Sequence, residues 1–574
     1  MQQGKLKFRD IFDGDKIFEI PEYQRAFTWG EKQLTDFLND LKNQHIEKPY
    51  FFGTFLFHEA EHIDEYVKIF IVDGQQRLTT SNIFIKTVLD CLKGYDEDKK
   101  KTFRRYIEDD GIYKLNTSIN DNAFYHTYII NNNKPTDFDT KSQKRLNFAK
   151  NYFENQLQNL SKKDLEDFLQ KVENSFVLVH TVTKKSDAAQ VFELINDRGK
   201  RLTDLEAIKS FLMYTISVLL TKPEQTLEDI ENNFAKIYRK SEKLEDRIKE
   251  DQILTYYIIT NLEWKGEEFR KPKDYIKKTI NNTDQKTQVE LVKKITKEIK
   301  ESFEIIDNII SNKRRLSEID DLFMLNRIAN FYPLLMSAFL NDETDIKNDF
   351  KGIANLAELY SFISLVAGKR SDTGVKYFYE LARDFEGDFN SLNHQIKKIF
   401  SENWWRIISR FQENIPNIDY YSRITKFVLF KYENYLRKND GFPILSMEAF
   451  FENDTRLKLS IEHITARRVK SLDFSEQFKN TLLDNIGNLV IDTVASNSAK
   501  GAEEVDDKIK LYNLAPMISQ NEIDKIVKDI SKENAGFNWE KLEDVEKFIK
   551  YRRDKIKEFI LKEWNYETRA IWLG

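Results

Sequence analysis

The sequence predicts an α+β protein that is mostly helical. A small mixed α/β region stands at the N-terminus, a helical stretch fills the middle, and a short extended segment sits among helices near the C-terminus. Three observations predict this. Strand-like runs cluster in the first 80 or so residues and return once near residue 175. Elsewhere apolar residues recur every three or four positions, the spacing of one helix face. Charged residues make up 32% of the chain, as suits long helices with solvated faces, while 40% hydrophobic residues keep it within the globular range.

In the first region, Lys16-Ile-Phe-Glu-Ile precedes Pro21, Tyr50-Phe-Phe-Gly-Thr-Phe-Leu-Phe forms an aromatic run, and Tyr66-Val-Lys-Ile-Phe-Ile-Val alternates in strand fashion. The acidic stretch from His58 to Glu65 reads as the loop of a hairpin. After Gln76 the pattern turns helical through Leu78, Ile83, Ile85, Val88 and Leu89. The spacing of Phe153, Leu157, Leu160, Leu165, Phe168 and Val172 predicts more helix. Ser175 to Val182 is a further extended run, followed by a helix over Ala188 to Asn196 and a turn at Asp197-Arg198-Gly199. Thr203 is placed to N-cap the next helix from Asp204. The clearest amphipathic helix joins Val289, Val292, Ile295, Ile299, Phe303, Ile306 and Ile310, and the whole stretch from 215 to 430 reads as helical. Leu457 to Ile464 is extended, and Val545 to Ile560 closes the pattern with another helix.

At 574 residues the chain is too long for one core, and length predicts about three or four domains. The pattern divides it at 1–215, 216–430 and 431–574. Cys91 is the only cysteine, which excludes an intramolecular disulfide or a CxxC metal or redox pair and fits a reducing cytoplasm. No run suits a signal peptide or a membrane span; the most apolar stretch, Phe211 to Leu220, is short and broken by Tyr214, Thr215 and Ser217. Net charge is −5, from 90 basic and 95 acidic side chains, so nucleic acid would have to be met by local patches rather than bulk charge. Arg467-Arg468-Val469-Lys470, Lys313-Arg314-Arg315 and Tyr551-Arg552-Arg553 are such patches, and each reads equally well as a solvated face.

Four motifs carry chemistry. In Ile20-Pro21-Glu22-Tyr23-Gln24-Arg25-Ala26-Phe27-Thr28-Trp29, a ring, an amide and a guanidinium fork together suit a base and a phosphate. Ile71-Val72-Asp73-Gly74-Gln75-Gln76-Arg77-Leu78-Thr79-Thr80 lies where a strand gives way to a helix, a junction whose free N–H groups favour an anion. There Asp73 is suited to a magnesium ion or a water, Arg77 to a phosphate, and Gln75 or Gln76 to an attacking water. No P-loop signature occurs. Val191 to Thr203 carries Asn196, Arg198 and Gly199. The fourth set is Ser460-Ile461-Glu462-His463-Ile464, then Ile486-Gly487-Asn488-Leu489, Asn497 and Lys508. A Glu-His pair sets a hard oxygen ligand beside a general base, and a middle Asn suits bracing the loop that orients the His. His58-Glu59-Ala60-Glu61-His62 matches the zinc-protease pattern but falls in strand-like sequence. There the two imidazoles would stand about 13 Å apart, too far to share one zinc.

These motifs resemble the GmrSD-type type IV restriction enzymes. The matching strings are Ile20-Pro21-x-Tyr23-Gln24-Arg25-x-Phe27-x-Trp29, Phe52-Gly53-Thr54, Asp73 to Thr80, and Phe192-Glu-x-x-Asn196-x-Arg198-Gly199-x-x-Leu202-Thr203. They look like that family's ParB/sulfiredoxin-like nucleotide domain. Glu462-His463-Ile464, Gly487-Asn488-Leu489 and Asn497 are similar to its HNH-like ββα nuclease domain. The same pairing of domains occurs in the phosphorothioate-sensing Ssp effectors. The family usually has Pro where Ala466 stands here, which bears on the geometry of that loop.

The resemblance implies a nucleotide-regulated, metal-dependent DNA endonuclease of anti-phage defence that also hydrolyses nucleoside triphosphate. GTP, UTP, CTP and ATP are not distinguished. Tyr23, Gln24, Arg25, Asp73, Gly74, Gln75, Gln76 and Arg77 would bind the nucleotide, with Asn196, Arg198 and Gly199 completing the pocket. His463 would be the general base, Asn488 its brace, and Glu462 and Asn497 the ligands of Mg²⁺ or Mn²⁺. Arg467, Arg468, Lys470 and Lys508 would meet DNA. The partner would be double-stranded, modified phage DNA, with a homo-oligomer or partner defence proteins and no membrane. The alternative is a nucleotide-gated DNA-binding or regulatory subunit without nuclease activity.

Overall fold

The computed structural model describes residues 3–44, 50–63, 65–92, 97–196, 202–313, 315–341, 349–467, 472–500, 505–533 and 536–569. They form two compact units, residues 1–307 and 308–574. The helical stretch between the motif-bearing regions is divided between these units. Among the described residues, 216–430 carries no strand.

The first unit is built on a six-stranded mixed sheet. Its strands are β1 (Gly4–Lys7), β2 (Lys16–Glu19), β3 (Phe51–Ile63), β4 (Tyr66–Asp73), β5 (Leu115–Asn116) and β6 (Phe176–Val182), in the order β1-β6-β3-β4-β2-β5. β1 with β6 and β3 with β4 are antiparallel, whereas β6 with β3, β4 with β2 and β2 with β5 are parallel. β3 lies inside the sheet, which is why Phe55, Leu56 and Phe57 are all buried: an internal strand covered on both sides buries consecutive residues rather than alternate ones. Phe8, Phe12, Phe18, Phe37, Phe84 and Phe153 extend the aromatic core around it, mostly as tilted or edge-on pairs.

Three local expectations change. The stretch from His58 to Ile63 is not a hairpin loop but the second half of β3. It pairs with Tyr66 to Phe70 across register shifts near Leu56 and Glu59. His58 buries itself against Phe70, with ring centroids 6.0 Å apart, and this packing helps carry the strand through acidic sequence. The HExxH string is therefore extended chain. The helical run from Phe153 to Val172 is two helices, α2 (Lys141–Leu157) and α3 (Lys162–Asn174), because Ser161 N-caps the second with its hydroxyl on Asp164 N–H. β1 and β5, four and two residues long, are strands with too little pattern to read.

Other helices follow the periodicity. α1 (Gln75–Cys91) starts directly after the Asp73-Gly74 turn, α4 (Lys185–Asn196) follows β6, and α5 (Asp204–Leu219) begins with the expected Thr203 cap and a reciprocal Glu206 bond. α6 (Glu224–Leu244) and α7 (Gln285–Ile310) come next.

The second unit is helical except for a two-stranded antiparallel sheet, β7 (Leu459–His463) with β8 (Leu489–Thr493). α8 (Val494–Lys500) follows β8 directly, giving a strand–strand–helix order, and α9 (Val505–Tyr512), α10 (Ile518–Glu533) and α11 (Leu542–Glu563) follow. Val490, Tyr512, Ile523, Ile526, Phe548 and Ile549 form the core beside this sheet. No helix among the described residues is long and apolar enough to cross a membrane.

Candidate functional sites

In the first unit, two of the sequence motifs fold against each other. Gly74 ends β4 with φ +94°, a left-handed conformation that favours glycine, and an added Cβ would meet the Phe55 ring at 2.4 Å. The turn faces the Pro21–Trp29 segment, and the two exchange amide–backbone hydrogen bonds. Gln24 Nε2 donates to the Val72 carbonyl (2.8 Å), Gln75 Nε2 to Arg25 (3.0 Å) and Gln76 Nε2 to Ala26 (3.0 Å). Thr28 N–H donates back to Gln76 Oε1 at 2.8 Å. Arg77 Nη2 donates to the Thr54 carbonyl (2.6 Å) and Nη1 to Phe52 (3.4 Å), 3.5 Å from Asp73 Oδ2. This explains Phe52-Gly53-Thr54: Gly53 has φ +104°, and a Cβ there would lie 1.6 Å from Arg77 Nη1.

These contacts engage most of the motif's polar atoms within the fold. Gln76 and Arg77, assigned to nucleotide or water, use their polar atoms to hold the fold, and Gln75 keeps only Oε1 uncommitted, buried without a hydrogen-bond partner. Burial lowers the Arg77 pKa, and Asp73 opposes that shift.

Arg25 and Tyr23 point to two different hollows. Arg25 lines a cleft of about 340 Å³ together with Thr28, Arg145, Tyr238, Lys249 and Glu250, within the size range of small-molecule sites. Its guanidinium lies 3.7 Å from Glu250. Tyr23 and Gln24 line a smaller chamber with His58, Phe192, Lys209 and Glu231. There Lys209 Nζ donates to the Tyr23 carbonyl at 2.7 Å, and burial pushes its pKa down to about 8 against the pull of Glu231 and Glu206. Glu231 pairs with Lys185 at 2.9 Å, and burial raises its pKa. Asn196 ends α4, but its side chain, with Arg198 and Gly199, lies outside the described residues.

In the second unit, neighbours on a strand face opposite sides, so Glu462 and His463 leave β7 in opposite directions. His463 Nε2 lies 2.8 Å from Asp484 Oδ1, and its ring stacks on Tyr420 at 4.9 Å. Arg467 places Nε (3.0 Å) and Nη2 (2.8 Å) on that same Oδ1 and donates to the Tyr421 hydroxyl. Burial lowers the His463 pKa, and the hydrogen bond to Asp484 opposes that shift. Asp484 opens onto a polar cleft of about 670 Å³ that also has Tyr421, Lys479, Asn480, Lys550 and Arg553 on its walls.

Asn488 is fully buried, with every polar atom of its side chain on the loop backbone. Oδ1 accepts from Thr465 N–H at 2.9 Å, and Nδ2 donates to the carbonyls of Thr465 (3.0 Å) and Leu483 (2.8 Å). The loop that carries Ala466 in place of the expected proline is thus fixed at Thr465, and Ala466 is buried. Arg552 donates from Nη1 to the carbonyls of Ile486, Gly487 and Leu489.

On the other face of β7, Glu462 is 2% exposed. It accepts from the Tyr512 hydroxyl (3.0 Å), and Lys508 and Lys500 stand 3.3 and 3.6 Å away. Burial raises its pKa and the two lysines pull it down. Its Oε2 is buried without a hydrogen-bond partner, and Asn497 lies on the same side, donating from Nδ2 to Ser460 Oγ and the Ile461 carbonyl. Two buried lysines already supply the counter-charge of Glu462, and among the described residues no group of three carboxylates, histidines or cysteines is gathered around it, so as they stand these side chains do not fit a hard divalent cation.

Lys508, expected on DNA, is corrected: its side chain is 1% exposed, and its Nζ donates to the His463 carbonyl at 3.1 Å. Arg467 stays accessible at 42% of its side chain, while Arg468 and Lys470 fall outside the described residues. Sequence reasoning missed Asp484, Tyr420 and Tyr512, and it offered Arg552 as part of a basic surface patch, whereas Arg552 is fully buried on backbone carbonyls. Asp484 stands two residues before the Ile486-Gly487-Asn488 string without a signal of its own, Tyr420 belongs to no motif, and only folding brings the two to His463.

The model of the GmrSD restriction endonuclease N-terminal domain matches residues 8–213, and that of the GmrSD restriction endonuclease C-terminal domain matches residues 405–567. No curated protein matches the chain. The first match spans the clamped Tyr23–Trp29 and Asp73–Arg77 segments and the second spans His463, Asp484 and Asn488; with both domains present in order, the chain belongs to the GmrSD restriction endonuclease family.

Proposed function

We propose that this protein is a metal-dependent, HNH-type DNA endonuclease of anti-phage defence, controlled by a nucleoside triphosphate that it hydrolyses in its N-terminal unit. The observation that carries the nuclease reading is His463. Its Nε2 lies 2.8 Å from Asp484 Oδ1, and Asp484 lines a polar cleft with lysine and arginine on its walls. With Nε2–H donating to ionised Asp484, Nδ1 keeps the lone pair and accepts a proton from the attacking water. Asn488 fixes the loop that follows His463, and Lys508 fixes its carbonyl. Mg²⁺ or Mn²⁺ would supply charge stabilisation at the scissile phosphate; Glu462 and Asn497 lie on the face of β7 opposite His463 and would have to turn to hold it there.

The nucleotide reading moves to the cleft beside Arg25. Arg25, Arg145 and Lys249 would meet the phosphates there once Arg145 leaves Glu245 and Arg25 leaves Glu250, since Glu242, Glu245, Glu250 and Asp251 also line the cleft. The Tyr238 ring suits a base, while Gln24, Gln75 and Gln76 fix the backbone that presents Arg25. Asp73, which pairs with Arg77 and does not line that cleft, remains the proposed residue for water or metal at its own turn. The substrate is double-stranded, modified phage DNA met in the cytoplasm, with a homo-oligomer or partner defence proteins as the working assembly.

The test incubates the purified chain with plain and modified phage DNA, each nucleoside triphosphate in turn, and Mg²⁺ or Mn²⁺, scoring cleavage and released phosphate. Cleavage that disappears in His463→Ala supports the nuclease reading; a wild-type rate in that variant removes it. Phosphate release that survives Arg25→Ala unchanged removes the nucleotide site.

A further inference from the structure

We propose that Asp484 is the positioning residue of His463, and that Arg467 is a guanidinium this carboxylate holds until a DNA phosphate takes it. The proposal rests on the reading of His463 as the general base.

Three donors converge on one oxygen. His463 Nε2, Arg467 Nε and Arg467 Nη2 all lie 2.8–3.0 Å from Asp484 Oδ1. The carboxylate is held by its own backbone, because Tyr420 N–H donates to the Asp484 carbonyl at 2.8 Å and Asn485 bridges to Asp419. Asn485 Nδ2 also donates to the Pro416 carbonyl at 2.9 Å. The backbone that carries Asp484 is thus fixed, and the Tyr420 ring covers one side of the imidazole, with centroids 4.9 Å apart and planes inclined by 29°. An acceptor-only carboxylate on Nε2 selects the tautomer whose basic nitrogen is Nδ1.

Arg467 is different in kind. Its side chain is 42% exposed, it lies over the rings of Tyr420 and Tyr421 at 4.8 and 5.4 Å, and Tyr421 lines the cleft. A guanidinium fork matches a phosphate as well as a carboxylate, and a partly solvated ion pair is inexpensive to exchange. When a phosphodiester enters the cleft, Arg467 pivots from Asp484 to the phosphate. Asp484 Oδ1 then serves His463 alone, at the moment substrate is present.

The test uses the whole chain and three measurements. The first is cleavage of supercoiled plasmid and of modified phage DNA with Mg²⁺ or Mn²⁺. The second is binding of a short duplex across a salt series without metal. The third is the ¹⁵N spectrum of labelled histidine, with His463→Ala identifying the His463 signal. Asp484→Ala is expected to lower kcat about 100-fold with little change in KM. It should also shift the His463 signal away from the Nε2–H form. Arg467→Ala is expected to raise KM and to reduce the salt slope of duplex binding by about one, and Arg467→Lys to restore most of that slope.

A His463 signal unchanged in Asp484→Ala, or cleavage within about threefold of wild type in that variant, overturns the positioning role. An unchanged salt slope in Arg467→Ala overturns the transfer. If His463→Ala itself cleaves normally, it is the nuclease reading that falls. The spectrum and the salt slope read out whether or not either DNA is cut.

Discussion

The carbonyl oxygen of Ile549 stands 2.1 Å from where a Cβ on residue 487 would lie, so α11 runs directly against Gly487. Gly487→Ala must push that helix backbone away, together with the Arg552 clamp on the same turn. Overpacking of this kind costs about 1–3 kcal/mol, and thermal unfolding of the second unit should move down accordingly. A melting temperature equal to wild type would show that the turn yields without cost.

Asn488→Ala leaves the Thr465 N–H and the Thr465 and Leu483 carbonyls without their partner in a fully buried place. Each such group costs about 1–3 kcal/mol. Because that loop follows His463 directly, DNA cleavage should fall further than the folded fraction does. Comparing residual activity with the folded fraction from circular dichroism separates the two effects, and equal losses would count against a brace on the catalytic loop.

Gln76→Ala and Arg25→Ala should differ in kind. Gln76 bonds only to Ala26 and Thr28, so its loss is expected to lower stability by about 1–2 kcal/mol while nucleotide affinity changes little. Arg25→Ala, which empties one wall of the cleft, is expected to weaken nucleotide binding about tenfold or more with little effect on melting. Calorimetric titration of both variants decides this, and the reverse pattern would return the amide to the ligand.

Lys209 gives a dependence on pH. Burial holds its folded pKa at about 8, whereas the unfolded chain has the ordinary value of 10.5. Between those values the unfolded chain binds more protons, so the contribution of Lys209 to stability rises with pH across that window. A shift of this size corresponds to about 3 kcal/mol. Lys209→Met should therefore gain on wild type below pH 8 and lose that advantage by pH 10, minus a constant cost for the hydrogen bond to the Tyr23 carbonyl. Parallel thermal melts at pH 7 and pH 10 test it; a difference that stays constant would mean that Lys209 is not titrating in this range.

Much of this architecture could be read from sequence for simple reasons. Thr203 caps α5 as its chemistry predicts, and Phe55 to Phe57 lie in an internal strand as a continuous apolar run should. The motifs at Tyr23 and Asp73 were also legible, but not their mutual contact. Forty-eight residues separate Gln24 from the Val72 carbonyl it reaches, and nothing local signals that an amide will turn inward toward backbone rather than outward toward a ligand. The strand character of His58 to Ile63 was hidden because acidic side chains mask the pairing partner that holds it. Asp484 was illegible for a third reason: its role depends on a backbone pairing with Asp419 and Tyr420, more than sixty residues earlier.

The Arg552 clamp has a consequence in time. Arg552 and Ile549 belong to α11, which is synthesised after His463, Asp484 and Asn488 have all left the ribosome. Until α11 emerges, the turn at Ile486–Leu489 lacks both the helix it packs against and the guanidinium that gathers its three carbonyls. The nascent polypeptide thus carries His463, Asp484 and Asn488 before it carries the helix that shapes their turn, and Lys550 and Arg553 of the cleft arrive with that same helix.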